Sequence, residues 1–499
     1  MPRTHRIRFV PGLKRNPPPA PESPDSMGEP TLTPQSRSES SSPKMSRSKH
    51  SCKECKQRRV KCDEAYPVCL RCQRRGSVCL SASPPTQWQA EMPWVISKPM
   101  QELGTGAVAP NKRLLQYWLE KTSRIMTVRP ENNPLSFPLL QYLMSTPSLL
   151  HAVQSVSAGQ EQFFQSSNLG PCLTQRGMAI QALRHEIQDP ARIKPSSILA
   201  VFLQGVSWTW TEDHPCDYGK QHLRGARVLL ENMLVDKEKR QDPLVQFMLG
   251  WYLYWDMSCA FIADRYDLSP LNTQQLFDAI QDARDSFHPM VGFNAQLFYL
   301  IACVGRHCRL VMDTGARDPS LEATFEEQLL AWDPQHEDKT LVDMSIAYRN
   351  HGLIMLYQIC GNPRLASSPT ELSQRPDAAD QMVSAEESVN ATIDENTHAH
   401  IQDLVVDTLR RLFDTPIDAA CFSFHSIPLL TAAAELPREQ LHDRSTVVYR
   451  FKALYSTNRV AVNMWAIELL EELWDLHDCG IHISWLELLK TKDWTLSFA

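Results

Sequence analysis

Apolar residues recur at intervals of three and four along most of the chain, which is the spacing of an amphipathic α-helix. The segment 111–126 begins with Asn111, a residue that favours the N-cap position, and 272–287 shows the same periodicity. The clearest segment is 446–477, which lacks Gly and Pro and has Asn458 as the one polar member of its apolar stripe. We expect a single helix face there. Short β-like runs are scarce, so the pattern predicts an all-α body of many helices.

Three segments interrupt this pattern and divide the chain. The first 50 residues contain ten prolines and nine serines, so we expect a disordered tail over 1–44. A second proline-rich segment, 81–110, holds five prolines, which exclude a continuous helix or coiled coil. The segment 366–400 is polar and acidic, and we expect a long flexible loop. The predicted folded parts are therefore a small domain at 45–80 and a helical regulatory domain at 111–499.

The charges are distributed unevenly, although the net charge is only −6. Residues 1–80 hold 17 Lys and Arg against 7 Asp and Glu, and the remainder holds 34 basic against 50 acidic residues. A basic head on an acidic body suits a polyanionic partner at one end of the chain. The most apolar stretch, 245–263, is interrupted by Gln246 and Asp256, so we expect a buried core helix and no membrane contact.

Six of the 14 cysteines lie close together in the basic head. No apolar secretory signal opens the chain, so we expect a reducing compartment, where a cysteine cluster indicates metal binding. The spacing is C-x2-C-x6-C-x6-C-x2-C-x6-C, an internal duplication with an offset of 17 residues, formed by Cys52, Cys55, Cys62, Cys69, Cys72 and Cys79. One tetrahedral zinc accepts four ligands. Two Zn²⁺ need eight ligand positions, which six cysteines supply if two of them bridge both metals.

An alternative uses four cysteines only. The first, second, fourth and fifth form C-x2-C-x13-C-x2-C, the spacing of the first zinc module of nuclear receptors. This interpretation leaves Cys62 and Cys79 without a role, although they occupy matched positions in the two halves of the duplication.

Basic residues surround the cysteines and point to nucleic acid. Residues 44–75 contain 11 Lys and Arg against 3 acidic residues. The segment between Cys55 and Cys62 is too short for an independent helix, so metal must fix it. We expect its basic side chains to meet DNA, because Arg can bind the O6 and N7 of guanine and Lys supplies a point charge. The candidates are Lys56, Arg58, Arg59 and Lys61, with Arg71, Arg74 and Arg75 on the second half. For any one of them alone, a solvated surface charge is the competing explanation.

The segment 52–79 resembles the fungal binuclear zinc cluster transcription factors. Every cysteine is in place, the run KQRRVK lies between the second and third, and Pro67 precedes the fourth. The resemblance implies that Cys52 and Cys69 bridge the two metals, and that Pro67 sets the loop between the halves.

The resemblance also implies the target of this domain. In the family, two basic residues midway in the run reach a CGG triplet, and these match Arg58 and Arg59. The family commonly has lysine at the second position, where this chain has Arg59. The three arginines of the second half are expected to hold the phosphate backbone. Lys61, beside a ligand, is expected to contact phosphate.

The C-terminal part is similar to the helical effector domain of the acriflavine sensitivity control type, found in many fungal zinc cluster regulators. The similarity spans 111–499 and is carried by 148–163, 218–234, 424–436 and 458–498. Together the two resemblances imply a nuclear regulator of RNA polymerase II transcription. The acidic segment 366–400 and the tryptophan-rich 463–494 are candidates for coactivator contact, although helix packing is the preferred explanation of 463–494. The prolines after the cysteines leave the helical body as the place for any homodimer contact.

Catalytic motifs are missing: the sequence has no P-loop, GxGxxG, GxSxG or HExxH, so we do not expect an enzyme. The histidines at 336, 398 and 400 are expected to be solvated rather than metal-bound. In its size and in its two parts the chain resembles the pathway-specific regulators of fungal secondary-metabolite gene clusters, and this resemblance implies the expected function. The alternatives are a regulator of drug resistance or nutrient catabolism and, from another class, a zinc-containing scaffold or RNA-binding protein.

Overall fold

A computed structural model gives the fold of the chain. The residues that it describes are 51–80, 110–162, 169–189, 193–264, 266–267, 273–283, 286–334, 336–361 and 395–498. Within these ranges the chain is helical and forms no β-strand, apart from one isolated bridge between His288 and Gly292. The all-α class predicted from the periodicity is therefore confirmed. The tail expected at 1–44 and nearly all of the linker expected at 81–110 lie outside the described residues.

Two short helices belong to the cysteine segment, and the others build the body. The cysteine segment contains α1 (Lys53–Gln57) and α2 (Leu70–Arg75). The first part of the body contains α3 (Lys112–Tyr117), α4 (Leu140–Leu143), α5 (Pro147–Gln162), α6 (Gly170–Glu186), α7 (Pro195–Thr209), α8 (Lys220–Leu234), α9 (Lys237–Arg240) and α10 (Pro243–Cys259). The second part contains α11 (Gln274–Asp282), α12 (Ala295–Thr314), α13 (Pro319–Leu330), α14 (Lys339–Cys360), α15 (Glu395–Asp414), α16 (Ser426–Ala434), α17 (Leu441–Asn458), α18 (Val462–Asp478) and α19 (Trp485–Lys492).

The body begins where the sequence indicates. Asn111 caps α3, because its side-chain oxygen accepts the N–H groups of Arg113 and Leu114 at 3.1 and 3.3 Å. A π-helical turn over Trp118–Thr122 continues this helix. The helix expected within 272–287 is present but shorter, as α11.

The single helix expected over 446–477 is wrong, because the chain breaks between α17 and α18. Arg459 adopts a left-handed conformation with φ of 62°. The side-chain oxygen of Asn458 accepts the N–H of Val460 and the side-chain amide of Asn463, both at 3.1 Å. These side-chain hydrogen bonds replace the backbone hydrogen bonds that would continue the helix. The polar residue in the apolar stripe marks the break.

The segment 366–400, expected to be a flexible loop, is helical at its C-terminal end. Helix α15 starts at Glu395, so the last six residues of that segment are helical, and 362–394 lies outside the described residues. His398 and His400 therefore lie on a helix, and the ring of His400 is 5.4 Å from that of Tyr357.

The core is centred on α10, whose residues from Leu244 onward are almost all buried. It packs against α12, α12 packs against α14, and α14 packs against α15 and α16. Trp255 of α10 approaches Gly205 of α7 so closely that a Cβ at this glycine would lie 2.0 Å from the indole ring. Residues 245–259 of the stretch 245–263 thus belong to a core helix, α10. Among the described residues, no helix combines the length and the apolar character that a membrane span requires.

Asp256, which interrupts this apolar helix, is the centre of a buried polar network. Its carboxylate accepts two bonds from Arg306, at 2.7 and 2.8 Å, and one from the Tyr252 hydroxyl at 2.8 Å. Arg227 donates to the same hydroxyl at 3.0 Å. Burial opposes the charge of Arg306, but the adjacent Asp256 raises the pKa of its guanidinium. The network explains how the carboxylate is accommodated in the core.

Candidate metal centre and nucleic-acid interface

The structure brings the six cysteines of the basic head into one buried cluster. Their sulfurs fall into two groups of four, each with all sulfurs within 4.8 Å of one another. The two groups are Cys52, Cys55, Cys62 and Cys69, and Cys52, Cys69, Cys72 and Cys79. Cys52 and Cys69 are thus shared. All six side chains are at most 5% exposed.

The sulfur separations match a tetrahedral metal. The Sγ atom of Cys52 lies 3.9 Å from that of Cys69 and 3.8 Å from that of Cys72, and Cys55 lies 3.8 Å from Cys69. Four sulfurs at the Zn–S distance of about 2.3 Å from a tetrahedral zinc are separated by about 3.8 Å. The donor set, the burial and the spacing therefore fit zinc.

The duplication in the sequence is also present in the backbone. Each half starts with a cysteine that caps the following helix: Cys52 accepts the N–H of Cys55 at 3.3 Å, and Cys69 accepts that of Cys72 at 3.4 Å. These N–H groups orient the two shared sulfurs and favour their thiolate form.

Each half also ends in the same way. Arg59 after α1 and Gly76 after α2 are left-handed, with φ of 57° and 60°. The N–H of Val60 bonds to the carbonyl of Cys55 at 3.0 Å, and in the second half Ser77 bonds to Cys72 at 3.1 Å. Both helices are closed by the same C-terminal motif, with glycine in one half and arginine in the other.

The thiols of the cluster differ in how readily they ionise. Burial raises the pKa of Cys55 to about 12, because a buried thiolate loses its hydration. Burial acts in the same sense on Cys69, but the N–H of Cys72 and the neighbouring thiols lower the pKa of Cys69 below its ordinary value. A divalent cation held by these six cysteines would stabilise their thiolate forms.

The loop between the halves contains Pro67, as expected from the sequence. Pro67 is buried, and the Tyr66–Pro67 peptide is cis. The carboxylate of Asp63 accepts the N–H groups of Ala65 and Leu70, at 3.1 and 3.0 Å, and so connects the loop to the start of α2.

The structure places every basic residue predicted to meet DNA at the surface. Of these seven residues, the first lies on α1, the next three follow the end of α1, and the last three lie on α2. The exposed residues are Lys56, Arg58, Arg59, Lys61, Arg71, Arg74 and Arg75. They lie on or directly after the two helices that carry the buried cysteines.

A second buried group with metal-ligating chemistry was not apparent from the sequence, because its members lie on three different helices. His307, Glu322 and Cys360 have ligand atoms within 4.8 Å of one another. The Glu322 carboxylate already pairs with Arg317 and accepts a bond with His307 Nε2 at 3.0 Å. Its charge is balanced without a metal.

The structure thus joins a buried six-cysteine cluster with exposed arginines and lysines to a helical body. Comparison with known families gives this arrangement its class, a zinc-binding and DNA-binding transcription factor. Residues 50–89 match the fungal Zn(2)-Cys(6) binuclear cluster domain, and residues 113–499 match the fungal specific transcription factor domain. The second match covers most of the chain, so the chain belongs to the fungal specific transcription factor family. No curated protein and no solved structure matched it.

Proposed function

We propose that the chain binds two Zn²⁺ ions through its six cysteines, with Cys52 and Cys69 bridging both metals. The observation that supports this is the pair of four-sulfur groups, which share these two residues. Because the shared cysteines are also the helix caps, each half-motif is fixed to both metals at its first residue. The metals then hold α1, which has only five residues, in a helical conformation.

The exposed basic residues read DNA in this proposal. Arg58 and Arg59 bind base edges of a CGG triplet, because a guanidinium can form two hydrogen bonds with guanine. Lys61 contacts phosphate. The second half holds the phosphate backbone through Arg71, Arg74 and Arg75. Their exposure in the intact chain supports these roles.

The chain acts in the nucleus, as a regulator of RNA polymerase II genes. The helical body carries the regulation, contacts coactivators and provides any homodimer contact. The proposed targets are the genes of a secondary-metabolite pathway, and drug-resistance or nutrient-catabolism genes are the alternative. We assign the chain no catalytic function. Mapping of bound genomic sites distinguishes these targets.

Binding to duplexes tests the base-reading role. Fluorescence anisotropy is measured for a CGG duplex and a scrambled duplex at several salt concentrations. We expect Arg59→Ala to weaken CGG binding by about 5- to 150-fold, equivalent to ~1–3 kcal/mol, with little effect on the scrambled duplex. Lys61→Ala should weaken both equally and lower the salt slope by roughly 0.9.

Lys237→Ala, at an exposed lysine of α9 in the body, is the matched control and should leave binding unchanged. Equal losses for Arg59→Ala on both duplexes would show that the basic run is only an electrostatic clamp. If the wild-type chain bound neither duplex, a role as a zinc-containing scaffold would explain the cysteine cluster better than DNA binding. Stronger binding to RNA than to DNA would favour the RNA-binding alternative.

A further inference from the structure

The zinc cluster contacts the helical body at its last cysteine. The N–H of Cys79, the last cysteine, donates to the hydroxyl of Ser456 in α17 at 2.9 Å. Cys79 is completely buried and Ser456 is 2% exposed. The cysteines and Val68 form one continuous buried set with the apolar residues of the body.

A second contact lies at the loop between the two half-motifs. The Lys121 ammonium lies over the ring of Tyr66, 4.5 Å from its centroid. Tyr66 and Pro67 also form one wall of a cavity of about 1380 Å³, and the body supplies the other walls, including Arg124 and Phe287. The loop therefore faces the body.

The Ser456 contact satisfies a group that burial would otherwise leave unpaired. A buried backbone N–H without an acceptor costs about as much as a lost hydrogen bond. The Ser456 hydroxyl donates its proton to the carbonyl of Lys452 at 2.6 Å. Its lone pairs are then free to accept from Cys79. The hydroxyl thus connects a metal-ligating residue to the helix that receives it.

We propose that the helical body is a docking surface for the chain's own zinc cluster, and that Ser456 is a positioning residue for Cys79. The seven basic side chains are exposed in this docked arrangement, so the docked form is also the form that binds DNA. This last step rests on the DNA binding given under the proposed function, whereas the docking rests only on the binding of zinc by the six cysteines.

Zinc release from the full-length chain tests the docking. A chelator that absorbs on binding zinc reports the rate at which the metals leave. We expect Ser456→Ala to accelerate release about fivefold, the effect of one lost hydrogen bond. Ser445→Ala is the matched control, because Ser445 lies on the same helix, bonds to the carbonyl four residues before it and is not buried. It should release zinc at the wild-type rate.

Release from Ser456→Ala at the rates of wild type and Ser445→Ala would overturn the docking role. If circular dichroism shows that Ser456→Ala has lost helix, Lys121→Met replaces it. This variant keeps the apolar length of the side chain and removes the charge over Tyr66. We expect about twofold faster release, and no acceleration would contradict the proposal.

Hydrogen exchange of the Cys79 amide, with and without a CGG duplex, tests whether the docked form binds DNA. We expect slow exchange in the free chain, faster exchange in Ser456→Ala, and unchanged protection in the DNA complex. Loss of protection on DNA binding would show that the cluster undocks, which would overturn this part. If anisotropy detects no duplex binding, the proposed function fails, and zinc release still decides the docking.

Discussion

Arg59 occupies a backbone position that glycine would fill with less strain. Its φ is 57°, and the matched residue of the second half, Gly76, has a φ of 60°. A left-handed conformation costs an L-residue roughly 1–2 kcal/mol, and part of this is offset because glycine loses more entropy on folding. We therefore expect Arg59→Gly to stabilise the metal-bound cluster by about 1 kcal/mol. This corresponds to roughly fivefold tighter zinc binding.

The same substitution should impair DNA recognition. Loss of a base-contacting arginine removes ~1–3 kcal/mol of discrimination, so affinity for a CGG duplex should fall by about 5- to 150-fold. Affinity for a scrambled duplex should change much less. Arg59→Gly should thus tighten zinc binding and weaken recognition, a combination expected where backbone strain is retained for function.

Zinc affinity is measured by competition with a chelator, and DNA affinity by anisotropy on the two duplexes. Gly76→Ala is the reciprocal control. Nothing lies within 4 Å of the Cβ it would add, so only the left-handed backbone opposes it. It should weaken zinc binding by roughly fivefold. If Arg59→Gly and Gly76→Ala both kept the wild-type zinc affinity, the left-handed backbone at these positions would not be strained. If Arg59→Gly still preferred the CGG duplex as strongly as wild type, Arg59 would not read bases.

Three further substitutions test the cluster and the core. Cys69→Ser removes a sulfur shared by both groups, so native mass spectrometry should show that both zinc ions are lost rather than one. Asp256→Ala leaves the Arg306 charge without its buried partner and should lower the free energy of unfolding in urea by about 3 kcal/mol. Gly205→Ala forces a Cβ against Trp255 and should lower the free energy of unfolding by ~1–3 kcal/mol.

Two controls accompany the core variants. Asp403→Ala removes an exposed carboxylate from α15 and should change the free energy of unfolding by less than about 0.5 kcal/mol. Gly177→Ala lies within α6, where nothing is within 4 Å of the added Cβ, and should stabilise the helix by roughly 0.5–1 kcal/mol. Equal effects of Gly205→Ala and Gly177→Ala would contradict the close packing at Trp255, and equal effects of the two aspartate variants would contradict the buried ion pair.

The sequence predicted the cysteine cluster well, because metal ligands must follow a strict spacing. The offset of 17 residues between the halves indicated a repeated half-motif, and the structure shows it in matched caps and matched left-handed residues. Helical periodicity likewise predicted the all-α body. It did not predict the break after α17, since Asn458 could equally have faced solvent from a continuous helix.

Contacts between distant parts of the chain were beyond sequence reasoning. Cys79 and Ser456 are 377 residues apart, and no local pattern indicates that a serine in the body accepts a bond from a zinc ligand. The start of α15 was missed for a different reason. Its first residues are polar and lack an apolar stripe, so they could not be separated from the acidic segment before them.

Selection of bound duplexes from a random library, with the purified chain in zinc and again after chelation, tests the central claim most directly. We expect CGG-containing sequences to be enriched in zinc, and the enrichment to disappear when the metal is removed. Cys69→Ser should behave like the chelated wild type. If zinc gave no enriched sequence, or if the same sequence were enriched without metal, the chain would not be a zinc-dependent, sequence-specific DNA-binding protein.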